Sequence, residues 1–210
     1  MSDADRAKWD KRYAEGAYQE RTHAADYLQQ MVPRCSTPGQ LALDVACGAG
    51  RNTLYLAQLG FQAVGTDISQ VGLQRARHHA GQAGLAAEFL CLDLDRDELP
   101  EGPYDLIIVF RFVAVELMPA LSQRLSAGGM LVMETHLQWP DPVAGPSSAR
   151  YRIAPGTLTE QASRLGLTIE HSYEGLLDEP GGGQAAVARL TAIKPYRRKT
   201  VTPKNRNNER

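Results

Sequence analysis

The sequence predicts an α/β fold, with a mostly parallel sheet, helices on both faces and an antiparallel last strand. Three observations carry the prediction. Short aliphatic runs alternate with segments of helical period, and one run empties into a glycine turn that opens a helix. A triple glycine, Gly181-Gly182-Gly183, separates the last two strand-like runs, and glycine supplies the positive φ angles of a tight antiparallel return.

Taken in order, Trp9 to Gly16 reads as a short aromatic-bearing arm. Ala24 to Val32 follows as an amphipathic helix, with Tyr27, Leu28 and Met31 on one side and Pro33 closing it. Leu41 to Val45, Gln62 to Thr66, Ala86 to Leu92, Tyr104 to Phe110 and Met130 to Glu134 are aliphatic and bounded by Gly, Pro or Asp, as buried strands are. Between them, Thr53 to Leu59, the segment from Ser69 to about Ala83, and Glu116 to Leu125 carry helical spacing, with Ser69 placed to cap the second. Gly156 to Leu165 is predicted as a helix, and Leu167 to Tyr173 and Gln184 to Ile193 as the closing strands.

The 210 residues, 43% hydrophobic and 22% charged, suit one globular domain. Residues at the start are charged where a signal peptide is apolar, and the longest aliphatic stretch, Leu106 to Phe110, stops at Arg111. Secretion and membrane insertion are not expected. Cys35, Cys47 and Cys91 share no metal or redox spacing, which fits a reducing cytoplasm, and no metal site is predicted. The net charge of -1 hides an asymmetry: from Lys194 onward seven basic residues face one acid, leaving an acidic body with a basic tail. Such a tail is read as disordered and solubilising, with phosphate backbones as its alternative partner.

The most informative stretch is Leu41-Ala42-Leu43-Asp44-Val45-Ala46-Cys47-Gly48-Ala49-Gly50-Arg51-Asn52-Thr53. Gly48 and Gly50 let the backbone bend sharply and approach a ligand. The next strand runs into Asp67, and ligands of open α/β sheets sit beyond the carboxyl ends of the strands, so turn and acid should meet in one crevice. An aspartate there can accept both hydroxyls of a ribose. The third glycine of a dinucleotide fingerprint is replaced by Thr53, and Asp44 stands just before the turn. An acid beside the turn disfavours a pyrophosphate and suits a cationic ligand.

The run LDVACGAGRNTLYLAQLGFQAVGTDIS resembles motif I and the following strand of class I S-adenosylmethionine-dependent methyltransferases, and its GRN-TLYLA-LG portion is similar to the tellurite-resistance-type branch. The resemblance implies a Rossmann-like seven-stranded sheet with an antiparallel last strand and S-adenosylmethionine as cofactor, leaving S-adenosylhomocysteine. It implies a core at 41–193 behind an N-terminal arm and helix at 1–40, with the tail at 194–210. Ala46, Gly48 and Gly50 would pack on the methionine part and ribose, Asp44 would lie near the amino group, and Asp67 would hold the ribose. Ile68, Asp93 and Leu94 would meet the adenine. Tyr13 would cap the cofactor carboxylate over Trp9, or the two aromatics simply fasten the arm. Arg51 would complement that carboxylate or an anionic acceptor, and Phe110 would line the site.

For the acceptor, Arg111 is either an anion-binding group or a partner of Glu134 or Glu116. His136 is a general base by ordinary pKa, or an anchor for the following loop. Cys47 is read as a compact turn residue, since no adjacent histidine activates it. The loop from Leu137 to Pro155 is predicted to cover the acceptor with Trp139 or Tyr151. Motifs of base-methylating enzymes are missing after the fourth strand, which favours a small-molecule acceptor, with anionic and metalloid species in view, over nucleic acid. Methylation of RNA through the tail, and cofactor binding without catalysis, are the alternatives.

Overall fold

A computed structural model describes residues 3–32, 39–179 and 182–196. Pro33, Cys35, Gly181 and the tail beyond 196 lie outside the described residues. Seven strands form one sheet: β1 (Leu41–Val45), β2 (Gln62–Asp67), β3 (Ala87–Cys91), β4 (Tyr104–Phe110), β5 (Leu125–His136), β6 (Thr168–Asp178) and β7 (Gln184–Ile193). Six helices accompany them: α1 (Asp3–Ala14), α2 (Asp26–Met31), α3 (Arg51–Gln58), α4 (Gln70–Ala83), α5 (Met118–Arg124) and α6 (Thr157–Arg164). Strand order is β3-β2-β1-β4-β5-β7-β6. β7 alone runs against its neighbours, as predicted.

Side-chain alternation along the central strands explains why both faces are covered. Leu43, Val45, Ile107, Val109, Leu131 and Met133 point into one core with Met118 and Leu121 of α5 and Leu158 of α6. Their neighbours Ala42, Leu106, Ile108, Met130 and Val132 point into the other, with Tyr27, Leu28 and Met31 of α2 and Leu56 of α3. α4 begins where expected, its Ser69 side chain accepting the Gly72 amide at 3.0 Å. It stops at Gly84, which takes φ +64.

Three elements differ from the sequence expectation. Residues 9–16 belong largely to α1, whose mean apolarity is low; it docks through Tyr13 and through Asp10, whose carboxylate accepts from Ser69 Oγ at 2.7 Å and the Val71 amide at 3.1 Å. Leu125, expected to end a helix, starts β5 and pairs with Tyr104, and the pairing then shifts so that Met130 meets Leu106. β6 runs on to Asp178 because Glu174 to Asp178 pair with Gln184 to Ala188, although most of β6 is exposed.

Parallel strands place their carboxyl ends together. Ala46 after β1, Asp67 ending β2, Phe110 and Arg111 at β4 and His136 ending β5 therefore line one cleft of about 800 Å³.

Candidate active site

The cleft floor is built by two backbone turns. Ala46 leaves β1 at φ +58 and Arg111 leaves β4 at φ +59, left-handed conformations that non-glycine residues adopt at a cost of roughly 1–3 kcal/mol. Both face the cleft, so the unfavourable backbone sits where the strands must turn a residue toward a ligand.

Asp67 organises the turn after β1. Its Oδ2 accepts the Gly48 amide at 2.8 Å and its Oδ1 the Ser69 amide at 2.8 Å. A carboxylate offers about four acceptor positions, so each oxygen keeps capacity for a ligand hydroxyl. Burial raises its pKa, while these amides oppose the rise.

The two glycines serve different neighbours. A Cβ on Gly48, at φ +58, would collide with the Tyr13 hydroxyl, so α1 closes directly on the turn. Gly50, at φ +80, does not line the cleft; a Cβ there would lie 2.8 Å from Ala76 Cβ and 3.1 Å from Phe89, so its freedom serves the packing of α4 on β3. Burial is also the leading reason that the Tyr13 hydroxyl is held protonated, followed by Asp67.

Asp44 lies beneath the turn rather than on the cleft wall. It is 1% exposed, accepts from Thr53 Oγ1 at 2.6 Å, and burial raises its pKa to about 7. The Thr53 that replaces the third fingerprint glycine is thus its partner. Asp93 is likewise buried, accepting the Asp95 amide at 3.1 Å, and it is Asp95 that reaches the cleft. Leu94 is in the core with Leu99 and Val109. Ile68 and Phe110 do line the cleft, the latter also meeting Tyr27 with ring centroids 6.5 Å apart and planes tilted by 57°. Cys47 lines it too, but burial, then Asp44 and Asp67, push its thiol pKa well up, against a nucleophilic role.

At the other end, Arg111 Nε donates to Glu134 Oε1 at 2.8 Å, and Arg189 Nε donates to Glu134 Oε2 at 2.8 Å. Of the expected partners, Glu134 is the one realised. Arg51 lines the cleft and donates to the His23 carbonyl at 3.1 Å. His136 lines the cleft with Nδ1 buried and without a hydrogen bond. Burial first, then Arg111, Arg152 and Arg21, lower its pKa to about 3. Its ordinary imidazole pKa, the ground for reading it as a base, is therefore not the one the fold gives it.

The cover is made by α1 and the 137–155 loop. Arg150 of the loop bonds Asp5 of α1 at 2.9 Å, and Lys8 Nζ donates to Tyr151 Oη at 3.2 Å. Arg152 holds the loop through the carbonyls of Pro146, Leu137 and Ala144. Tyr151 faces the cleft; Trp139 does not, and is 37% exposed, which corrects its expected covering role. Sequence reasoning did not find Lys8, Arg12, Arg21 and Glu179 on the wall, since isolated charged residues carry no periodic signal.

Residues 42–129 match the family model described as a methyltransferase domain. Over this stretch, about two fifths of the chain, the protein is similar to methyltransferases. It is 38% identical over 97 residues to an uncharacterized methyltransferase of Synechocystis sp., a match covering 44% of this chain and 41% of that protein. A ribosomal protein L11 methyltransferase of Symbiobacterium thermophilum is 31% identical over 112 residues, covering 51% of this chain and 36% of that one. The chain thus spans about two fifths of the curated relatives it matches. In fold, the chain superposes on the crystal structure of TehB from Haemophilus influenzae with a TM-score of 0.71 at 18% identity, covering 89% of this chain and 67% of that chain.

The residues fit the cofactor this family uses. Asp67 keeps lone pairs for vicinal hydroxyls, and Ile68 and Trp9 supply apolar wall. Asp44 and Asp67 would favour a cationic ligand in their ionised forms, although burial opposes that ionisation in both. Among the described residues, no group of acids, His and Cys is arranged to hold a metal ion, and no helix is long and apolar enough to cross a membrane.

Proposed function

We propose that this protein moves a methyl group from S-adenosylmethionine to a small anionic acceptor. The supporting observation is a single cleft with the Asp67-braced turn at one end and Arg111 and His136 at the other, beneath Lys8, Arg12, Arg21 and Arg150. When bound, the cofactor supplies an electrophilic methyl on a sulfonium, open to in-line displacement.

The chain's own residues then align and exclude water. Asp67 holds the ribose hydroxyls, and Ala46 and Gly48 bring the backbone close. Gly50 keeps the turn in register with α4. Ile68 and Phe110 give apolar contact, and Asp93 and Leu94 act from beneath by setting the turn that carries Asp95. Asp44 favours the cofactor's amino group from under the turn, and Tyr13 and Arg51 bound the methionine end. Arg111 orients the acceptor. His136, kept neutral, contributes a lone pair and no charge, so it avoids repelling the sulfonium.

Incubating the full chain with methyl-labelled cofactor and a pooled metabolite extract, in parallel with RNA and with ribosomal protein, tests the reading. Label entering acidic small molecules is expected. Label entering only RNA or protein overturns the acceptor class, and no transfer to any pool overturns catalysis.

A further inference from the structure

The β6–β7 hairpin carries an acid into the acceptor end of the cleft. Glu179, directly after β6, has Oε1 2.8 Å from Arg111 Nη1 and Oε2 3.9 Å from Arg21 Nη2. Its Oε1 is buried without an aligned hydrogen bond, so this is a charge contact and not a locked bidentate bridge. The other acid on Arg111 differs in kind: Glu134 is 3% exposed, with one oxygen taken by Arg111 and the other by Arg189. Glu134 is committed to the fold; Glu179 faces the cleft.

Positive charge on this wall exceeds what Glu179 neutralises. Arg51 lines the same cleft, and burial, then Arg21 and Arg111, lower its pKa, a sign that these guanidiniums feel one another. The backbone of Glu179 is fixed, its amide donating to the Gly183 carbonyl at 3.0 Å and its carbonyl accepting the Gly182 amide at 2.9 Å. Only its side chain needs to turn for the carboxylate to leave.

We propose that Glu179 stands where the acceptor's own carboxylate binds, so that Arg21 and Arg111 form a subsite for a carboxylate-bearing acceptor, which exchanges with Glu179 on entry. That the bound anion is the methyl acceptor rests on the proposed function; the anion subsite does not. Exchange of one carboxylate for another keeps an anion at Arg111 Nη1, while Glu134 holds Nε in either state.

Calorimetric titration of the full chain with benzoate, and with neutral benzamide, tests this in the wild type, Glu179→Gln and Glu179→Ala, with melting curves for each. Both variants are expected to bind benzoate about tenfold tighter than wild type, with benzamide unchanged and with the gain lost on adding Arg111→Met. If one variant melts early, the other decides. Equal or weaker benzoate binding in a folded variant, an equal gain for benzamide, or no benzoate binding in any sample overturns the subsite. S-adenosylhomocysteine titrated into the same samples reports separately: its failure to bind sinks the methyltransferase reading while a benzoate result stands.

Discussion

The amide of Gly48 donates to Asp67 Oδ2 at 2.8 Å, which makes the turn after β1 and the acid ending β2 one unit. The unit extends outward. Asp67 takes the Ser69 amide, Ser69 Oγ donates to Asp10, and Asp10 belongs to α1, the helix that covers the cleft. Cofactor floor and cover are therefore joined through three acidic or hydroxyl side chains, and Asp67 is oriented before any ligand arrives.

The glycines separate by their neighbours. Gly48→Ala is expected to destabilise the chain by about 1–2 kcal/mol from its left-handed backbone, and further from the Tyr13 hydroxyl. Tyr13→Phe, which removes that oxygen, should recover part of the loss in Gly48→Ala and none of it in Gly50→Ala, where Ala76 and Phe89 are the obstacles. Urea unfolding of the two double-mutant cycles checks this, and equal rescue at both positions contradicts it.

Asp44 and His136 should pull stability in opposite directions with pH. Between pH 3.8 and about 7 the folded chain keeps a proton on Asp44 that the unfolded chain has released, so this group's contribution falls as pH rises and is constant above. Between about 3 and 6.5 the unfolded chain holds a proton on His136 that the folded chain lacks, so that contribution rises with pH. Asp44→Asn should therefore gain on wild type as pH climbs through the shared window, and His136→Asn should lose. Urea midpoints measured across that window decide; parallel curves for all three proteins would refute the opposition.

Glu134 holds two guanidiniums and is 3% exposed. Glu134→Gln should cost about 3 kcal/mol, since Arg189 loses its carboxylate while Arg111 keeps only Glu179. Adding Arg189→Met should return part of that stability, because the cation left without its carboxylate is removed. A double variant no more stable than Glu134→Gln alone would show that the loss is not electrostatic.

Much of the core was legible because short apolar runs alternate with segments of helical period. Near-continuous apolar runs in Leu41 to Val45 and Tyr104 to Phe110 mark strands buried on both faces, and the Gly48 turn with Asp67 marks their ligand-binding ends. Elsewhere the signal was tertiary. α1 holds on through Asp10 and Tyr13 instead of an apolar stripe, so its 9–16 segment read as an arm. Leu125 looked helical because Gly128, at φ +82, interrupts the strand pattern it begins. Asp44 and Asp93 read as ligand contacts, yet both are buried and turned to near neighbours in the chain, Asp44 to Thr53 Oγ1 and Asp93 to the Asp95 amide. Glu179 had no local mark; only the hairpin brings it to Arg111.

The central claim is that the Asp67-braced turn receives the nucleoside of the cofactor. Calorimetric titration of wild type and Asp67→Ala with S-adenosylhomocysteine tests it most directly, alongside melting curves to confirm that both samples are folded. Micromolar binding by wild type, weakened at least about tenfold in the variant, is the predicted result. Wild type that does not bind in that range, or a folded Asp67→Ala that binds equally well, would contradict it.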